Sequence, residues 1–216
     1  LFEKNLGVVY LMNMKYFDYQ HLDTKERILK ATLHIISQYG YENVTVRKVA
    51  KYANVNIALV NYHFGSKDNL LNEAMKQITL KLETAFNHLE CKDSAAEERL
   101  KKFFDEYTSI IIEHPSIIKN FVFQTVKKSS IFIHYEEYFK HSGLRLLMDS
   151  LSEINPSIDK PRAKKLLFQA MAAISAPVLI AGKMHSMIDV DYFDPFQRAD
   201  YLELLFDSLM GYIKGS

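Results

Sequence analysis

The chain is expected to be all-α, with about nine helices arranged as a small amino-terminal module followed by a larger helical bundle. Three observations predict this. Apolar residues recur at three- and four-residue spacing along most of the 216 residues, no run alternates apolar with polar, and only seven Gly and five Pro interrupt the pattern. With 48% apolar and 25% charged residues the chain has the balance of a folded protein, long enough to bury a sizeable core.

Residues 1–22 are expected to form an extension, disordered or partly non-native. The apolar run Leu6–Met12 lacks a basic lead and a small-residue cleavage site, which argues against a signal peptide, and Met12 or Met14 is a candidate translation start. A first helix then begins at a cap on Asp23 or Thr24. It carries Ile28, Ala31, Thr32, Ile35, Ile36 and Tyr39 on one face and stops at Gly40. Thr45 caps a second helix of two turns, with Val46, Val49, Ala50 and Ala53 inward and Arg47, Lys48 and Lys51 outward. Asn54 tolerates the left-handed conformation of a tight turn, and Asn56 caps a third helix from Ile57 to about His63.

Two short helices joined by a three-residue turn and preceded by a supporting helix make a helix-turn-helix, whose second member characteristically enters the DNA major groove. Val55, Val60 and Phe64 can anchor the third helix, which leaves Ile57, Ala58, Leu59, Asn61 and Tyr62 facing partly outward. Thymine methyl groups accept apolar contacts and adenine pairs with Asn, so such a face suits DNA better than water. Charge agrees. Residues 24–69 hold Lys25, Arg27, Lys30, Arg47, Lys48, Lys51 and Lys67 against Glu26, Glu42 and Asp68, a basic module in a chain of net charge +1.

The run from Thr24 through Leu71, above all TVRKVAKYANVNIALVNYHFGSKDNLL from Thr45, closely resembles the DNA-binding domain of the TetR family of bacterial transcriptional regulators. The resemblance implies a DNA-facing set of Thr45, Val46, Arg47, Asn56, Ala58, Leu59, Asn61, Tyr62, His63 and Lys67. Within it Thr45 and Arg47 approach the backbone or a base edge. Ala58, Leu59 and Asn61 lie nearest the bases, and Tyr62, His63 and Lys67 hold phosphates. Asn54 stands where the family usually has Gly, and Asn61 where an aromatic is common.

Residues 23–69 are thus expected to be the DNA-binding domain and 70–216 the body. A fourth helix from Ser66 to about Leu89 carries Leu70, Leu71, Ala74, Ile78, Leu82 and Ala85 or Phe86. A fifth, Ser94 to His114, ends at Pro115; a sixth runs from Ser116 to about Lys128 and a seventh from about Ile131 to Ile154. An eighth, from about Arg162 to Met187, contains Pro177 and many small residues, and Asp194 and Pro195 begin a ninth. Leu166–Gly182 is uncharged but about a residue short of a membrane span and contains Gln169, Ser175 and Pro177, so it reads as a buried helix.

The resemblance implies a homodimer formed through the last two helices, a palindromic operator on double-stranded DNA, and a small-molecule effector bound in the body. Candidates for that pocket are Phe104, Tyr107, Phe121, Phe123, Gln124, Phe168 and Met171, which are large, adaptable or polar in apolar surroundings. The function expected is a repressor released by its effector; the rival is an adaptor of the same fold working through protein contacts. Catalysis is not expected. His114, His134, His141 and His185 have no ligand spacing, there is no Gly-rich phosphate loop, and no cofactor or metal is implied. The single cysteine, Cys91, fits a reducing cytoplasm.

Overall fold

The computed structural model describes residues 22–115, 118–119 and 133–215, of which 133 and 181–184 by their backbone alone. The expected extension 1–22, most of the expected sixth helix, and the pocket candidates Phe121, Phe123 and Gln124 lie outside them, apart from Leu22. The described residues are helical, without a strand. Two compact units divide between Met75 and Lys76, inside the fourth helix rather than at residue 69.

In the first unit, α1 (Thr24–Tyr39) starts where the Asp23 carboxylate accepts the Glu26 N–H at 2.8 Å and ends at Gly40, whose φ of 80° a side chain would resist. A 3₁₀ turn (Tyr41–Asn43) leads to α2 (Val46–Ala53), then α3 (Ile57–Phe64) and the start of α4 (Lys67–Glu90). The core is Ile28, Ala31, Ile35, Ile36, Val44, Val49, Ala50, Ala53, Val60 and Phe64, closed by Leu70, Leu71 and Ala74 of α4. Tyr39 departs from its expected inward place. The residue is 46% exposed, and its hydroxyl lies 2.9 Å from that of Tyr52.

In the second unit, the rest of α4 packs Ile78, Leu82, Ala85, Phe86 and Leu89 inward, and α5 (Ala96–Glu113) packs Leu100, Phe103, Phe104, Tyr107, Ile110 and Ile111. Arg99 of α5 is buried as well, holding Glu153 and the Ser94 carbonyl. The expected seventh helix is broken into α6 (Ile133–Tyr138), a π turn (Phe139–Gly143) and α7 (Leu144–Ile154). The widened turn brings Gly143 against the ring of Phe86, where no Cβ fits.

The body closes with α8 (Lys160–Ile188), capped by Asp159, and α9 (Pro195–Lys214), capped by Asp194. Pro177 has no N–H for the Ala173 carbonyl, and Tyr201 of α9 donates to that oxygen at 2.8 Å. Tyr192 likewise donates to the Ile174 carbonyl at 3.2 Å. By length and composition Lys160–Ile180 could cross a membrane, yet it packs against α5 and α9 and is a third buried. The helix expected to be buried is covered on one side, and Phe168, Ala172, Ala176 and Ile180 form an exposed stripe at four-residue spacing on the other.

Candidate nucleic-acid interface

The candidate interface is set by local hydrogen bonds. Thr45 Oγ1 accepts the Lys48 N–H at 3.2 Å, and Asn54 adopts φ 53°, ψ 52°, the left-handed turn expected of it. Asn56 Oδ1 accepts the Leu59 N–H at 2.8 Å, Gly65 at φ 71° ends α3, and Ser66 Oγ accepts the Asn69 N–H at 3.1 Å. The side-chain oxygens of Thr45 and Asn56 are thus spent as caps. Both residues stay exposed, whereas Val46 is half-buried and has no side-chain donor.

Val60 and Phe64 fix the inner face of α3, and the outer face carries what the sequence placed there. Ala58 and Asn61 are exposed, as are the larger Ile57 and Leu59. Tyr62 is 82% exposed, which rules out a core role, and its ring meets His63 edge-on at 5.3 Å. His63 is half-buried between Tyr62 and Phe64.

The cations nearby are uncommitted. Among the described residues Arg47, Lys48, Lys51 and Lys67 have no carboxylate within ion-pair distance. Lys25 of the same unit pairs with Glu73, and in the second unit Lys81, Lys92, Arg99, Lys102, Arg145 and Lys214 each hold a carboxylate while Lys76, Lys101, Arg162, Lys164 and Lys165 do not among the described residues. A charge without an internal partner is free to neutralise a phosphate.

Two lysines rest on aromatic rings instead. The Lys67 ammonium lies 5.7 Å from the ring centre of Tyr41, and that of Lys48 lies 3.6 Å from the ring centre of Tyr39. Burial, and then the carboxylates of Asp68 and Glu42, push the Tyr41 phenol up to about 12, so the ring stays neutral under Lys67. Burial, followed by the charge of Lys48, lowers the pKa of His34, which lies 5.4 Å from the Tyr52 ring. Sequence reading missed Tyr39, Tyr41 and Tyr52. The available signal was Thr45, Lys48 and Tyr52 at i, i+3 and i+7 on one face of α2.

The pocket candidates are placed unevenly. Phe104 is buried edge-on against Phe206, Tyr107 is buried with its hydroxyl 3.0 Å from that of Tyr135, and Met171 is half-buried. Phe168 is corrected: at 77% exposed it stands on the outer stripe of α8 and lines no interior space. A surface cleft of about 530 Å³ is lined instead by residues of α4 and α7 with Lys92, among them Glu90, Arg145, Asp149 and Glu153, and by none of the candidates.

Residues 28–74 match the family described as bacterial regulatory proteins, tetR family. The chain is 22% identical over 195 residues to the HTH-type transcriptional repressor NicS of Pseudomonas putida, covering 85% of this chain and 89% of that protein. It is 39% identical over 61 residues to the HTH-type transcriptional regulator BetI of Stenotrophomonas maltophilia, where it spans only 31% of that protein. In fold it is similar to HlyIIR, a hemolysin II transcriptional regulator, with 24% identity, a TM-score of 0.63, and 87% and 97% of the two chains covered. It is also similar to a TetR-like transcriptional regulator of Rhodococcus, with 14% identity, a TM-score of 0.64, and 89% and 97% covered.

Proposed function

Because the chain belongs to the TetR family of bacterial DNA-binding transcriptional regulators, we propose that it is a cytoplasmic repressor that grips a palindromic operator as a homodimer and lets go when a small molecule binds its body. One observation carries the DNA side of this reading: α3 keeps an exposed face, with Tyr62 projecting, in the same unit as Arg47 and Lys67, two cations without a carboxylate partner among the described residues. In it Ala58, Leu59 and Asn61 read bases, and Arg47, Tyr62, His63 and Lys67 hold the backbone. Thr45 and Asn56 act chiefly by fixing the two helix starts.

The exposed apolar residues of the last two helices, Phe168 and Ile180 on α8 with Phe196, Leu204 and Tyr212 on α9, support pairing with a second copy. Repression is supported by the name of NicS. The effector site is assigned to the body around Phe104, Tyr107 and Met171. Coupling runs through α4, one continuous helix whose first turn carries Lys67 and whose later turns carry Phe86. An effector that favours the released arrangement by about 1–3 kcal/mol suffices.

The test is fluorescence anisotropy on DNA flanking the gene, at two salt concentrations with competitor DNA. Saturable, salt-sensitive binding by the parent and its loss in a Tyr62→Ala, Lys67→Ala double variant that still folds support the interface. A double variant that regulates normally moves the function to an adaptor acting through protein contacts. Leu204→Glu is expected to give monomers in sedimentation, and an unchanged dimer refutes the α8–α9 pairing.

A further inference from the structure

Lys48 reads from sequence as a solvated charge, yet its surroundings are built. Its ammonium stands 3.6 Å from the centre of the Tyr39 ring, within the range of a strong cation–π contact. Tyr39 is held from the other side by its 2.9 Å hydroxyl contact with Tyr52, and Tyr52 in turn packs against His34 at 5.4 Å. His34 is buried, and its pKa is lowered by that burial first and by Lys48 second, so a neutral ring backs the assembly at neutral pH. No carboxylate among the described residues pairs with Lys48.

Three further facts give this arrangement a direction. Thr45, Lys48 and Tyr52 recur at i, i+3 and i+7, so Lys48 lies one turn behind Thr45 on the same face of α2. That face belongs to the unit carrying the reading helix, and both Tyr39 and Tyr52 keep more than a third of their surface exposed. A ring under an ammonium fixes its place without neutralising it, and leaves N–H donors for an anion. An internal ion pair would have cancelled the charge.

We infer that Lys48 is an additional DNA-phosphate contact and that Tyr39, braced by Tyr52, is the residue that positions it. The inference rests on the DNA interface proposed above and adds a contact behind the reading helix. Phosphate held there needs no base sequence, so the contact acts on any duplex.

The experiment uses the full chain and a mixed-sequence DNA duplex, with affinity measured across a salt series. Lys48→Gln is expected to lower the slope of log K against log salt by about 0.9 per protomer bound, as one lost phosphate contact requires. Tyr39→Leu is expected to weaken binding in the parent but not in the Lys48→Gln background, and Tyr39→Phe, which keeps the ring under the ammonium but loses the hydroxyl that meets Tyr52, to fall between the parent and Tyr39→Leu. Thermal unfolding of each variant monitors the fold. A structural role for Tyr39 would cost affinity equally in both backgrounds and would overturn the positioning claim. Lys67→Gln separates the two readings: if it lowers the slope while Lys48→Gln does not, the Lys48 contact is wrong, and if neither lowers it, the whole interface is wrong.

Discussion

Pro177 creates a specific debt of one hydrogen bond, and the structure names the residue that meets it. In a regular helix the N–H of residue 177 would bond the carbonyl of Ala173; Pro has none, and the Tyr201 hydroxyl donates there at 2.8 Å. Tyr201→Phe removes that donor and leaves a half-buried carbonyl without a partner. Loss of a buried partner costs about 1–3 kcal/mol, and partial access of water at this site puts the value near 1 kcal/mol. In a chain of this size that lowers Tm by about 2–4 °C. The decisive measurement is a double-mutant cycle with Pro177→Ala, by urea unfolding followed by circular dichroism at fixed protein concentration. With Ala at 177 the backbone N–H returns to Ala173, so Tyr201→Phe should then cost less than about 0.5 kcal/mol. An equal cost in both backgrounds refutes the pairing of hydroxyl and orphan carbonyl.

Asn54 at φ 53° should distinguish between two small substitutions. Asn54→Ala is expected to lose about 1 kcal/mol to left-handed strain while Asn54→Gly stays near parental, and a thermal melt in which Ala equals Gly would contradict this. His34 predicts a pH dependence. Its folded pKa lies below the ordinary 6.5, chiefly through burial, so the unfolded chain binds the extra proton. The stability contribution is fully present above 6.5 and is lost as pH falls through 6.5 toward the lower folded value. His34→Gln should flatten the dependence of Tm on pH in that window, and His114, shifted the same way by burial and then Lys81, should account for part of what remains.

What the sequence revealed and what it hid divide by the range of the interactions. The caps of Thr45 and Asn56, the turn at Asn54 and the stop at Gly40 were legible because each is decided within three or four residues. The apolar stripe of α4 was equally legible, since every position named for it is buried. Tyr39 was misplaced because its partner is 13 residues away and a tyrosine fits an apolar stripe as well as a polar contact. The π turn was invisible because the close approach it makes, Gly143 to the ring of Phe86, is to a residue on another helix. Phe168 was assigned inward because periodicity finds apolar faces without saying which one the chain itself covers, and α8 has two.

Gly143 sets two known effects against each other, and the geometry decides between them. In a helix Ala is better than Gly by about 1 kcal/mol, so propensity alone makes Gly143→Ala stabilising. An added Cβ, however, would lie 2.9 Å from Phe86 Cε1 and 3.2 Å from Phe139 Cδ2. Phe86 has no room to retreat. It is fully buried, with Phe103 at 4.7 Å, Tyr138 at 5.4 Å and Tyr107 and Phe139 at 6.4 Å around it. Overpacking of this kind costs about 1–3 kcal/mol, which outweighs the propensity gain. Gly143→Ala is therefore expected to lower the unfolding midpoint, and adding Phe86→Leu should recover part of the loss despite removing ring contacts. A more stable Gly143→Ala protein would mean that the aromatic cluster yields and that the close approach does not require glycine.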